Sequence, residues 1–172
     1  ITPNGKVALI TGANSGIGAV TARSLALQGY HVFLACRGVA KTQTVLDDIA
    51  QRSNGTAKAE FLPLDLGDLS SVRACAAQFL ARGLPLHLLI NNAGLAGAKA
   101  MTASGFEQTF GVCHVGHFLL TQLLLDTLKA SAPARVVVVA SKIHYRAKGI
   151  NFDVLQQQTT SAGQLKEYGV AK

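Results

Sequence analysis

The chain has 172 residues, 49% of them hydrophobic, and a mean hydropathy of +0.29, which is one domain's length with enough apolar material for a substantial core. No apolar stretch reaches the ~20 residues that a membrane span requires, and residues 1–4 run straight into the first apolar segment without a secretory leader, so a cytoplasmic single domain over 1–172 is expected. Sixteen Lys and Arg against nine Asp and Glu give a net charge of +7, but the basic residues are scattered, which favours a solvated surface over a nucleic-acid face.

Val7 to Ile10 is aliphatic without alternation, the pattern of a strand buried on both faces of a parallel sheet. The chain then turns at once through Thr11-Gly-Ala-Asn-Ser-Gly-Ile-Gly18 into a helix. Gly12, Gly16 and Gly18 leave the loop with few side chains, so backbone N–H groups can approach a bulky anion. The helix N-terminus adds its partial positive charge, worth roughly 0.3–1 kcal/mol. A pyrophosphate fits there. The spacing Gly-x-x-x-Gly-x-Gly differs from the commoner Gly-x-Gly-x-x-Gly fingerprint, and no Gly-Lys-Ser/Thr follows to make a P-loop. Ile17, Val20, Thr21, Ser24 and Leu25 form the expected packing face of the helix. Gly29 suits its C-terminal cap, and Tyr30 to Ala35 begins a second strand, completing a βαβ unit.

Thr42, Val45, Leu46 and Ile49 mark a second amphipathic helix, Asn54-Gly55-Thr56 a turn, and Glu60 to Leu64 a third strand ending at Asp65. Asp68 or Ser70 can cap the next helix, whose buried stripe is Leu69, Val72, Ala76 and Phe79. Leu86 to Ile90 is a fourth strand, closed by Asn91-Asn92-Ala93-Gly94. A long helix follows with Phe106, Phe110, Cys113, His117, Leu120 and Leu124 on one stripe, and Arg135 to Ala140 is a fifth strand ending at Ser141. Three cysteines without metal-ligand spacing, Cys36, Cys75 and Cys113, fit a reducing compartment, with Cys75 a core thiol. This strand–helix alternation predicts an α/β fold, a Rossmann-type doubly wound parallel sheet with right-handed crossovers. Ligands collect at the carboxyl ends of such strands, so Thr11 and Gly12, Cys36 and Arg37, Asp65, Asn91 to Gly94, and Ser141 are expected to converge on one crevice.

An acid after the second strand would bond a ribose 2′-hydroxyl and repel a 2′-phosphate; this chain has Cys36-Arg37 instead. A guanidinium makes bidentate, charge-assisted bonds to phosphate, so NADP(H) is expected ahead of NAD(H). The other readings are an Arg37 that stacks on the adenine or lies in solvent. Asp65 either accepts from the adenine amino group or caps the turn that follows it. Tyr168-Gly-Val-Ala-Lys172 places a phenol and an ammonium on one helix face, where Lys172 can favour the ionised phenol. That is a remedy for an acid whose ordinary pKa is about 10. Alone the pair reads as a surface contact; its position after the fifth strand and Ser141 gives it a chemical reading.

Thr11-Gly-Ala-Asn-Ser-Gly-Ile-Gly18, Asp65-Leu66, Asn91-Asn-Ala-Gly94, Ser141 and Tyr168-x-x-x-Lys172 resemble the ordered motifs of the short-chain dehydrogenase/reductase family across the whole chain. Leu34-Ala-Cys-Arg37, His114-Val-Gly-His-Phe-Leu-Leu-Thr121 and Ser131-Ala-Pro-Ala-Arg-Val136 resemble its retinol dehydrogenase and WW-domain oxidoreductase branch. The resemblance implies that Tyr168 is the acid/base, that Ser141 holds the substrate oxygen, and that Lys172 binds the nicotinamide ribose and tunes Tyr168. It implies that Gly12, Asn14, Ser15, Gly16, Ile17, Gly18, Asn92, Ala93 and Gly94 line the cofactor together with Arg37, Asp65 and Leu66, while Asn91 supports the central strand. It implies a small-molecule alcohol or carbonyl substrate, a retinoid, steroid or other apolar compound, and a homodimer through helices flanking the fifth strand.

Two departures from the pattern stand out. Cys113 occupies the position where the branch has an asparagine that helps hold a water in the proton relay, and a thiol is a poorer donor and acceptor. A redox-sensing role is the functional alternative for it. The chain also stops at Lys172, whereas relatives continue through two more strands and the segments that enclose substrate, so a fragment or a truncated product with a frayed last helix is expected. The leading expectation is an NADP(H)-dependent oxidoreductase acting on an apolar alcohol/carbonyl pair. The alternative is a non-catalytic nucleotide-binding or scaffold protein; charge alone suggests a nucleic-acid binder, which would need strongly salt-dependent affinity.

Overall fold

The computed structural model describes residues 1–96, 99–159 and 165–172. Strand β1 (Val7–Thr11) is buried along its whole length because it pairs on both sides. With β2 (His31–Cys36) it is parallel, Val7 opposite His31 through Thr11 opposite Ala35, and with β4 (Leu88–Asn91) it is parallel, Ala8 opposite Leu88 through Ile10 opposite Ile90. Strand β3 (Ala59–Pro63) adds outside β2 and β5 (Arg135–Val138) outside β4, giving the order β3-β2-β1-β4-β5. The direction of winding reverses between β1 and β4, the place where a crevice opens in such sheets.

Side chains alternate across this sheet, and each face buries its own core. Ile10, Val32 and Leu34 pack with Ala22 and Ala26 of α1 (Gly16–Leu27) and Val45 and Ile49 of α2 (Val39–Arg52). Leu9, Phe33, Leu62 and Leu89 pack with Val72 and Phe79 of α3 (Leu69–Leu80) and Leu120 and Leu124 of α5 (Gly116–Ala130). Phe33 and Phe79 meet edge to face with ring centroids 5.2 Å apart, a favoured aromatic geometry. Helix α3 opens on Asp68, whose carboxylate accepts from the Ser70 N–H at 2.8 Å, the cap expected from sequence.

Helix α1 turns a different side inward from the one its large side chains suggest. Gly18, Ala19, Ala22 and Ala26 are buried, while Ile17 and Val20 are 70% and 60% exposed. Residues without bulk let the helix axis lie close to the sheet, and that close approach outweighs burying two β-branched side chains. The helix ends as expected at Gly29: its N–H bonds Ala26 O and the Tyr30 N–H bonds Leu25 O, the paired bonds of a Schellman end.

The long helix after β4 begins later and is not uniform. A single turn, α4 (Gln108–Phe110), leads into a π-helical stretch, Gly111–Val115, and then α5. The expected stripe is buried from Phe110 to Leu124, with Phe106 half-buried before the helix starts. Strand β5 stops at Val138, short of Ala140, and lies at the sheet edge with Val136, Val137 and Val138 exposed. Two 3-10 turns, Lys142–Arg146 and Phe152–Val154, and helix α6 (Leu165–Ala171) complete the described residues. Among these residues no helix is long and apolar enough to cross a membrane.

Candidate functional site

The carboxyl ends of the strands open into one cleft of about 770 Å³. Its walls bring together the residues expected there: Gly12, Asn14, Ser15, Ile17 and Gly18 from the first loop, Arg37 beyond β2, Asp65 and Leu66 beyond β3. Asn92, Ala93 and Gly94 beyond β4, Ser141 beyond β5, and Tyr168 and Lys172 at α6 close the other end. Gly16 is not part of the wall; it starts α1 with a φ of +51°. Asn91 is buried behind the wall and donates to Thr121 Oγ1 at 2.9 Å, consistent with support of the central strands.

The first loop is packed so tightly that two of its glycines, Gly12 and Gly18, are steric requirements. Gly12 has a φ of +65°, and a Cβ there would sit 2.9 Å from Ala93 Cα. A Cβ on Gly18 would strike Gly12 O and the Asn92 side-chain amide. Asn92 Nδ2 in turn donates to Thr11 O at 2.9 Å. The glycines thus let the loop pack tightly beside β4 at the amino end of a 12-residue helix, and that terminus, opening on the cleft through Asn14, Ser15 and Ile17, fits an anionic pyrophosphate.

At the end of β2 the cleft is cationic. Arg37 and Lys41 are both exposed and both line it. Lys41 lies beyond the strand end, in the first turn of α2, which begins at Val39 and brings it back to the cleft; no motif in the sequence marks it. Cys36 lies buried beneath them, and burial pushes its thiol up, opposed by hydrogen bonds from Thr42 and the loop backbone. Asp65 caps its turn, Oδ1 accepting from the Gly67 N–H at 2.9 Å, while still lining the cleft.

The opposite end carries the hydroxyl, phenol and ammonium. Ser141 caps the turn Lys142–Arg146, its Oγ accepting from the Ile143 N–H at 3.3 Å. Lys172 Nζ donates to Val139 O at 3.0 Å, and a Cβ on Gly94 would lie 3.0 Å from that ammonium. Tyr168 stands half-buried on α6 above the same space.

Cys113 touches the β4 loop from behind, and His117 lies one turn further along the same helix. The Cys113 thiol lies 3.5 Å from Leu95 N and 3.6 Å from Leu95 O. Burial pushes it up, opposed by the Leu95 bond and the charge of Lys172, a setting unlike that of a sensing thiolate. His117 is buried, with Nε2 2.7 Å from Thr11 Oγ1 and Nδ1 3.0 Å from Cys113 O. Burial pushes it down to about 4. The sequence stripe marks His117 as a packing residue; its partners are legible only once β1 and α5 are brought together.

A doubly wound parallel sheet with a glycine-rich loop and a helix terminus at its switch point is the architecture of dinucleotide-binding α/β proteins. The chain belongs to the short chain dehydrogenase family, whose sequence model matches residues 6–152. WW domain-containing oxidoreductase of Danio rerio is 53% identical over 140 residues, which cover 81% of this chain and 34% of that protein. Retinol dehydrogenase 11 of Homo sapiens is 50% identical over 153 residues, covering 88% and 48% respectively. A solved protein from Mycobacterium paratuberculosis superposes with a TM-score of 0.77 at 38% identity, over 97% of this chain and 57% of that one. The chain thus spans 34% to 48% of the length of these two curated relatives.

Proposed function

We propose that the protein is an NADP(H)-dependent oxidoreductase that interconverts an apolar alcohol and its carbonyl compound. The observation that carries this reading is the shared cleft: Ser141, Tyr168 and Lys172 open onto the same space as the glycine loop and Arg37. The names of the relatives, an oxidoreductase and a retinol dehydrogenase, support an alcohol/carbonyl pair with a retinoid as the substrate class.

A nicotinamide dinucleotide in this cleft supplies or accepts the hydride. The loop from Gly12 to Gly18 would hold its pyrophosphate, with Asp65 and Leu66 beside the adenine and Asn92, Ala93 and Gly94 along the nicotinamide half. Arg37 and Lys41 would pair with a 2′-phosphate, and no carboxylate follows β2 to oppose it. Tyr168 moves the proton at the substrate oxygen, and the Ser141 hydroxyl holds that oxygen in reach. Lys172 donates one N–H to Val139 O, and its ammonium would donate another to a ribose hydroxyl.

Titration with NADPH and NADH tests the assignment. Arg37→Ala and Lys41→Ala should each weaken NADPH binding about tenfold, the loss of one charge-assisted bond, and leave NADH nearly unchanged. Equal affinity for both nucleotides, unaffected by either substitution, would remove the NADP(H) reading. NADPH binding without turnover of any apolar carbonyl would favour the non-catalytic nucleotide-binding alternative.

A further inference from the structure

Thr11 Oγ1 is fully enclosed at the end of β1 and has four polar neighbours: His117 Nε2 at 2.7 Å, the Asn92 and Ala93 N–H groups at 2.9 Å each, and Ile90 O at 3.5 Å. The other ring nitrogen of His117, Nδ1, faces Cys113 O at 3.0 Å. A carbonyl can only accept, so Nδ1 carries the proton, and in a neutral ring Nε2 presents a lone pair. The Thr11 hydroxyl proton then points to Nε2, the nearer acceptor. Its two lone pairs are left for the amides of Asn92 and Ala93, and both the donor and the acceptor capacity of the hydroxyl are used.

We propose that His117 is a positioning residue for the cleft: as the Nδ1–H tautomer it orients the Thr11 hydroxyl, which fixes the backbone of Asn92 and Ala93. Turning the hydroxyl towards Ile90 O would swing its lone pairs off the two amides. A ring protonated on Nε2 would compete with an amide for one of them. The same turn of helix grips the loop a second time, because the Cys113 thiol lies against both backbone groups of Leu95. His117 and Cys113, four residues apart, thereby hold both ends of the segment 92–95, which walls the cleft. This gives Cys113 a place in the site as a contact to Leu95. The consequence for nucleotide affinity rests on the dinucleotide reading; the loop geometry does not.

Three measurements on the protein test it. The histidine ring ¹⁵N spectrum of the wild type should show His117 as the neutral tautomer with Nε2 unprotonated; an Nε2–H tautomer would overturn the proposal. Amide hydrogen exchange at Asn92 and Ala93 should quicken about tenfold in His117→Leu and in Thr11→Val, the loss of one buried hydrogen bond, while Leu34 in β2 keeps its rate. His117→Gln, whose amide oxygen can replace Nε2 as acceptor, should return the exchange towards wild type. Unchanged exchange at Asn92 and Ala93 in His117→Leu, or acceleration equal to that at Leu34, would overturn the proposal. NADPH affinity should follow the same order, wild type and Gln above Leu. A wild type that binds neither nucleotide would fell the dinucleotide reading, while the ring spectrum and the exchange rates would still decide the role of His117.

Discussion

Lys172 Nζ donates to the carbonyl of Val139 at 3.0 Å, and this bond ties the end of α6 to the chain just beyond β5. The same ammonium lies against Gly94 in the β4 loop, so one cation joins three segments around the proposed reaction centre. Lys172→Met keeps the length and removes the charge. It should lower kcat/KM by about ten- to a hundredfold, the worth of one or two charge-assisted hydrogen bonds, with steady-state kinetics as the check.

Gly18→Ala places a methyl group against Gly12 O and the Asn92 amide. Both neighbours belong to the floor of the cleft and neither is a flexible chain end, so overpacking should cost about 1–3 kcal/mol in urea unfolding and weaken NADPH binding. Gly16→Ala is the contrasting case. A Cβ there meets nothing within 4 Å, but its φ of +51° leaves a backbone penalty of roughly 1–2 kcal/mol.

His117 makes stability depend on pH with a defined sign. Burial, with the positive charges of Lys172 and His114 adding to it and the Cys113 backbone opposing, lowers the folded value from 6.5 to about 4. Between those values the unfolded chain binds a proton that the folded chain does not. Stability therefore rises with pH across that window and is level above and below it. The gain amounts to about 3 kcal/mol at most. Urea midpoints at about pH 4.5 and pH 7 should differ more in the wild type than in His117→Gln; equal differences would show that other groups set the slope.

The βαβ unit from Val7 to Cys36 is legible in the sequence because each strand is a mainly apolar run without alternation and three glycines, Gly12, Gly16 and Gly18, mark the turn into the helix between them. Strand ends then point to the cleft, since parallel strands deliver their last residues to one side of the sheet. What size and hydrophobicity cannot show is how closely a helix approaches: α1 packs through Gly18, Ala19, Ala22 and Ala26 and leaves Ile17 and Val20 outside. The π-helical stretch Gly111–Val115 has no proline to announce it. Lys41 is found once α2 is seen to start at Val39, which turns the fourth residue after Arg37 back towards the cleft. The bond between Thr11 and His117 joins residues 106 positions apart, and only the packing of α5 on the sheet reveals it.

The most direct test is the rate of NADPH oxidation with all-trans-retinal, compared between wild type and Tyr168→Phe at saturating nucleotide. Removing the phenol hydroxyl should slow turnover by about 10²- to 10⁴-fold while NADPH affinity stays within a few fold, because the proton donor is lost and the cofactor cradle is kept. Turnover that persists in Tyr168→Phe at the wild-type rate would contradict the assignment of Tyr168, and with it the reading of this cleft as a site of hydride and proton transfer.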